Sequence, residues 1–262
     1  TGSLTLKEKK EIYEGLESVA IYLVIGTHAL FQESVHYKKL GFVVTDEQHR
    51  FGVKQRKALK QKGEGVDFLV MSATPIPRTL AMSLYGDMDV SSIETRPEGR
   101  KPILTKYFEG SSMKPFLKQL KDYLAQGGQC YVICPLIEDN EDLPLKSALT
   151  IYEAMSSYFK GHYQTGLLHG SLKDEEKNAV LKDFKDNKIQ ILVSTTVVEV
   201  GVDVPNANMM VIYNAERFGL SSIHQLRGRI GRGDQQGYCF LLSEAKDEPA
   251  KERLHYLEEH DD

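Results

Sequence analysis

Short runs of apolar, mostly β-branched residues recur along the chain. They are AIYLVIG (20–26), GFVVTD (41–46), DFLVMS (67–72), QCYVIC (129–134), TGLLHG (165–170), IQILVST (189–195), NMMVIYN (208–214) and YCFLLS (238–243). Continuous apolar runs of this length predict parallel strands covered on both faces. Between them, apolar positions return every three or four residues. Over 112–126, Met113, Phe116, Leu117, Leu120, Tyr123 and Leu124 make one helical stripe, with Ser112 as N-cap and Gly127-Gly128 as stop. A second helix is predicted over 173–187, with Ala179, Val180 and Phe184 facing inward. Strands alternating with helices predict an α/β protein with doubly wound parallel sheets.

The stretch IETRPEGRKP (93–102) is charged and broken by Pro97, Gly99 and Pro102, and reads as a linker. The expected division is a first domain over 1–95 with three strands, a linker over 96–107, a second domain over 108–243 with five strands, and a C-terminal helix over 244–262. Residues 135–147 read as a polar acidic loop, and the acidic C-terminal segment as a solvated helix face.

Composition narrows the class. At 262 residues, 41% hydrophobic and 27% charged, the chain is neither disordered, nor collagen-like, nor a disulfide scaffold. Three cysteines do not make a disulfide framework, and Cys130 and Cys134 lie in an apolar run that predicts burial. No apolar run reaches the ~18 residues of a membrane span, which leaves the cytoplasm as the expected location and no membrane as a partner. The opening TGSLTLKEKK has no initiator Met, which points to a piece of something longer. The net charge of −4 does not announce a strongly basic nucleic-acid binder. The segment 243–262 alone carries −5, however, so the rest is nearly neutral and has room for a local basic cleft.

Four segments carry candidate chemistry. In VVTDEQH (43–49) an apolar strand ends in Asp46 and Glu47, the place where α/β sheets bind ligands. One carboxylate there can hold Mg²⁺ through water while its neighbour activates an attacking water; the plainer reading is a solvated strand-to-loop turn. In MSATPIPRTL (71–80) small hydroxyls that can bond carboxylates and phosphates follow a strand, but Pro77 is good helix-start chemistry and, taken alone, that plainer reading prevails. In STTVVEVGVDVPNANMMVI (194–212), Gly201 permits close backbone approach and Asp203 can accept from a ribose hydroxyl; a capped strand–helix connection is as good a reading. In HQLRGRIGRG (224–233), Arg227, Arg229 and Arg232 are interleaved with glycines. Guanidiniums in that spacing suit a transferring phosphoryl group, and a buried structural role for all three is not expected. His169 reads as a strand-end hydrogen-bonding residue.

In this order the four segments resemble motifs II, III, V and VI of the superfamily 2 helicases. The wider match is to the RecG family of bacterial DNA helicases. It is carried by GTHALFQ (26–32), TDEQHRFGVKQR (45–56), SATPIPRTLAMSLYGDMDVS (72–91), GRKPI (99–103), CPLIEDNEDL (134–143), LHGSL (168–172), TTVVEVGVDVPNA (195–207) and AERFGLSSIHQLRGRIGRG (215–233). The transcription-repair coupling factor looks similar, but the sequence DEQH at Asp46–His49 favours the RecG family. The resemblance implies two RecA-like domains of the P-loop NTPase type, the first incomplete at its N-terminus, working with ATP and Mg²⁺ on branched or forked DNA. A single-stranded DNA-binding protein is a further implied partner. It also implies residue roles. Asp46 coordinates Mg²⁺ and Glu47 activates water, while Gln48 and His49 couple the nucleotide site to the second domain. Ser72 and Thr74 link hydrolysis to DNA movement. Gly26, Thr27 and His28 meet the DNA backbone from the first domain, and Thr195 and Thr196 from the second. Gly201 and Asp203 lie near the nucleotide, and Gln225, Arg229 and Arg232 reach the γ-phosphate.

No G-x-x-x-x-G-K-[ST] occurs in the chain, so the loop that cradles phosphates is not in it. The expectation is therefore a motor piece with little or no ATPase of its own and an exposed sheet edge in its first part. A motor-derived module that binds nucleic acid without hydrolysis, and an RNA helicase of the same superfamily, are the alternatives.

Overall fold

The computed structural model describes residues 4–32, 34–46, 65–72, 89–93, 101–135, 142–195, 204–231 and 235–260. The chain divides into two units, Thr1–Ser91 and Ser92–Asp262.

In the first unit, helix α1 (Leu6–Glu17) starts from a reciprocal cap. The Thr5 amide donates to Glu8 Oε2 at 2.8 Å, and the Glu8 amide donates to Thr5 Oγ1 at 3.3 Å. Strands β1 (Phe42–Thr45) and β2 (Asp67–Val70) pair in parallel, from Phe42↔Asp67 to Thr45↔Val70. The run 20–26 is not a strand, against expectation. The amides of Ala20 and Ile21 instead donate to the carbonyl of Gly15 and end α1, at 3.0 and 3.1 Å. Tyr22, Leu23 and Ile25 are largely exposed, as are Phe42, Val44 and Leu69 of the pair.

The second unit holds a six-stranded, all-parallel sheet in the order β3–β8–β7–β4–β6–β5. Its strands are β3 (Leu104–Glu109), β4 (Cys130–Ile133), β5 (Thr165–Leu168), β6 (Ile191–Ser194), β7 (Met209–Ile212) and β8 (Tyr238–Ser243). The four central strands are nearly wholly buried, and alternate residues serve two cores. Cys130, Val132, Ile191, Val193, Met209, Val211 and Phe240 face α2 (Leu117–Ala125) and α3 (Asp142–Tyr158). Tyr131, Ile133, Leu192, Met210, Ile212 and Leu241 face α4 (Asp174–Lys185), α5 (Leu220–Arg227) and α6 (Glu248–Glu259). Coverage on both faces is why these strands read as unbroken apolar runs.

Four local features depart from the sequence reading. Strand β3 takes in the last residues of the stretch expected to be linker, as an edge strand with Thr105 and Tyr107 inward and Lys106 outward. Helix α3 begins at Asp142, inside the expected acidic loop. Helix α2 is shorter than predicted and follows a 3₁₀ turn, Lys114–Phe116, whose first amide donates to Ser112 Oγ. In α4, Ala179 is exposed, and the inward stripe is Val180, Leu181 and Phe184. The acidic C-terminal helix does present a solvated face, but its other face docks through Leu254 and Leu257. Its bridge from Lys251 to Glu109 spans 3.0 Å at the surface, so the apolar contact dominates the docking.

Cys130 and Cys134 are free and buried, as predicted, and Cys239 is free and buried too. Burial pushes all three thiols upward from 9.0, Cys134 and Cys239 to about 12. An unfolded thiol would ionise near 9 while the folded one stays neutral. Their contribution to stability is thus intact below pH 9 and is lost as pH rises towards 12. Urea midpoints of the second unit are expected to fall steadily from pH 9 to 11; a flat series would contradict the burial.

Candidate functional site

In parallel sheets the carboxyl ends of all strands share one edge, and loops there collect the chemistry. In the first unit the Met71 amide donates to the Thr45 carbonyl at 2.8 Å, extending the ladder one step past β2. Asp46 and Ser72 thereby leave the same edge of adjacent strands, Asp46 exposed and Ser72 half-buried. Glu47, Gln48, His49 and Thr74 lie outside the described residues. Gly26 and Thr27 are exposed and lead into a 3₁₀ turn over His28–Phe31. A Cβ on Gly26 would come within 2.9 Å of the Leu30 side chain, so the approach to this turn suits glycine. The Thr27 hydroxyl makes no capping bond to the turn.

In the second unit, Thr195 follows β6 at the same kind of edge. It is buried, and its amide donates to the Leu168 carbonyl at the end of β5, 3.1 Å away. His169, next along that loop, accepts from the Leu172 amide through its carbonyl at 3.3 Å, while its buried Nδ1 has no hydrogen-bond partner among the described residues. Thr196, Gly201, Asp203 and Arg232 lie outside the described residues. No group of three potential metal ligands comes together among the described residues.

The arginine segment separates into two roles. Arg227, the last residue of α5, is buried. Its Nη1 donates to Thr105 Oγ1 (3.1 Å), the Leu257 carbonyl (3.0 Å) and the His260 carbonyl (3.1 Å). It fastens β3 and the C-terminal end of α6, where the carbonyl ends of a helix favour a cation. The expectation was that the three would not all be buried structural arginines; Arg227 is one, held by a hydroxyl and carbonyls rather than by an anion. Arg229, two residues on, is half-buried, and its guanidinium has no hydrogen-bond or ion-pair partner among the described residues. Gln225 is half-buried on α5.

One residue that the sequence did not single out connects these parts. Asn208 is buried and directly precedes β7. Its Oδ1 accepts from the Gly231 amide at 2.9 Å, and its Nδ2 donates to the Pro205 carbonyl at 2.7 Å and Gln235 Oε1 at 3.2 Å. Its own amide donates to the Tyr123 hydroxyl at 3.0 Å, which in turn donates to the Asn206 carbonyl at 2.6 Å. Burial holds the Tyr123 phenol above its usual value, keeping that donor protonated. The only sequence signal was a polar residue at the mouth of an apolar strand.

Comparison with known proteins gives these features a context. The profile of the DEAD/DEAH box helicases matches residues 2–83, and that of the helicase conserved C-terminal domain matches 115–234. The ATP-dependent DNA helicase RecG of Bacillus subtilis is 50% identical over 262 residues, the whole of this chain and 38% of that protein. A structure of RecG bound to a three-way DNA junction is 46% identical, with a TM-score of 0.71, over 99% of this chain and 35% of that one. Saccharomyces cerevisiae Dbp5 bound to RNA and ADP BeF3 shares the fold at 19% identity and a TM-score of 0.63, over 88% of this chain and 60% of its own. The chain spans about two-fifths of the length of the curated relatives it matches.

Proposed function

Since the chain belongs to the RecG helicases of superfamily 2, with two RecA-like units, we propose that it supplies the greater part of a motor that couples ATP hydrolysis to the remodelling of branched DNA. The observation that carries this reading is Arg229, a half-buried guanidinium beside a fully engaged Arg227, with no protein partner among the described residues. A cation presented in this way suits an external anion such as a γ-phosphate.

In this reading Asp46 would hold Mg²⁺. An exposed carboxylate at a strand's carboxyl end is the hard oxygen donor that this ion takes. The ion would neutralise charge building on the phosphates. Glu47 orients and deprotonates the attacking water, and Gln48 and His49 relay the state of the nucleotide. Gly201 and Asp203 take the nucleotide from the second unit, and Gln225, Arg229 and Arg232 stabilise the transferring phosphoryl group. Gly26, Thr27, His28, Ser72, Thr74, Thr195 and Thr196 serve the DNA strand and its coupling to hydrolysis. A single-stranded DNA-binding protein is a proposed partner of the whole helicase, and the cytoplasm its proposed location. This chain has no phosphate-cradling loop, so its own ATP turnover is expected to be negligible.

The nucleic acid is tested by ATPase measurements on the chain extended upstream through the phosphate loop. Forked DNA is expected to stimulate turnover well above the level reached with duplex RNA of equal length. Equal or greater stimulation by RNA would favour the RNA helicase reading instead.

A further inference from the structure

The Asn208 side chain bonds both flanks of one short segment. Its Oδ1 holds the amide of Gly231, and its Nδ2 reaches Gln235. In sequence, Arg229 lies just before this segment and Arg232 within it. The turn leading in is held by α5: the Gly228, Arg229 and Ile230 amides donate to the carbonyls of His224, Leu226 and Arg227 at 2.9, 2.9 and 3.1 Å. Ile230 is fully buried and anchors the turn in the core. At Gly231 the backbone turns into the left-handed region with φ +65°. The two flanks approach closely here, since a Cβ on Gly237 would stand 3.3 Å from Gly231 Cα. The helical hydrogen bonds stop at Ile230, and the next backbone donor, Gly231 N–H, is taken by Asn208. Asn208 is itself fixed by Tyr123 and by the Tyr238 amide, which donates to its carbonyl at 2.8 Å. An amide with two donors and an acceptor, all used, holds one orientation.

We propose that Asn208 is a positioning residue for Arg229, fixing at Gly231 the end of the turn from which Arg229 acts. The proposal rests on the reading of that arginine given above. A cation that stabilises a transferring phosphoryl group must be held in place before the reaction, and a displacement of about 1 Å can cost about a hundredfold in rate. Asn208 itself touches no substrate, so its effect passes through Arg229.

The test uses the chain extended to the whole helicase, with forked DNA and ATP. N208A is expected to lower kcat about tenfold or more, with KM for ATP changed less than about threefold. Q235A, at an exposed residue, removes only the second foot and is expected to lower kcat by a smaller factor, which keeps the test valid should N208A fold poorly. N208D keeps an acceptor for Gly231 and is expected to recover part of the loss. The deciding readout is the double-mutant cycle: N208A on top of R229A is expected to cost less than about twofold. A full multiplicative loss in that background, or unchanged kcat in both N208A and Q235A, would overturn the proposal. If R229A itself leaves kcat intact, the arginine reading fails first, and that outcome is distinct from the failure of Asn208 alone.

Discussion

Replacing Arg229 by Ala, in the chain extended upstream through its phosphate loop and downstream to the whole helicase, is expected to lower kcat about a thousandfold or more. Thermal stability should hardly move. The guanidinium has no protein partner among the described residues, so its removal orphans no acceptor there and leaves no large cavity. Phosphoryl transfer leaves the protein mainly positioning and charge stabilisation to supply, which is why one arginine can matter so much. R229K should recover little, because a compact ammonium does not reproduce the planar fork. Steady-state ATPase with a parallel melting curve checks this. A variant with wild-type turnover, or one that loses activity only because it melts early, would count against the role.

Its neighbour should behave in the opposite way. Arg227→Met is expected to destabilise the second unit by about 3 kcal/mol, since it leaves buried acceptors on Thr105 and Leu257, and a part-buried one on His260, without this partner. For a unit of this size that corresponds to roughly 6–12 °C in melting temperature. The loss should appear in this chain alone, with no nucleotide or DNA, because the three bonds named lie within the second unit. Part of it should reflect loosening of α6, visible as faster amide exchange near Leu254–Leu257. A drop below about 1 kcal/mol would mean that Arg227 is replaceable by apolar packing, as some buried charges are.

This pair also shows what the sequence could and could not reveal. Arginines two positions apart in one glycine-punctuated segment look alike on paper. The hydroxyl and carbonyls that engage Arg227 come from Thr105, Leu257 and His260, far along the chain. The central strands of the second unit were legible because both of their faces are buried, as at Cys130–Ile133 and Met209–Ile212. The same pattern misled at 20–26, where the apolar run gives its first amides to the end of α1 and leaves Tyr22, Leu23 and Ile25 exposed. Strand β3 was hidden for the converse reason. At the sheet edge its residues alternate, and Lys106 between Thr105 and Tyr107 reads as polar chain beside a Pro-Gly linker. The T-L-K-E signature at Thr5–Glu8 was a readable helix start that the periodicity of apolar residues did not bring out. Within the site, Asp46 and Ser72 could be paired from strand-end logic alone. Asn208 could not, because its importance lies in partners at Gly231 and Gln235 rather than in its own type.

The most direct measurement compares ATP turnover by this chain with that of the version extended through the phosphate loop and the downstream part of the motor, each with and without forked DNA. Turnover is expected only in the extended version, stimulated by forked DNA and abolished by Glu47→Gln. Turnover by the present chain that Glu47→Gln abolishes would contradict that expectation, as would a well-folded extended version that binds DNA and hydrolyses nothing.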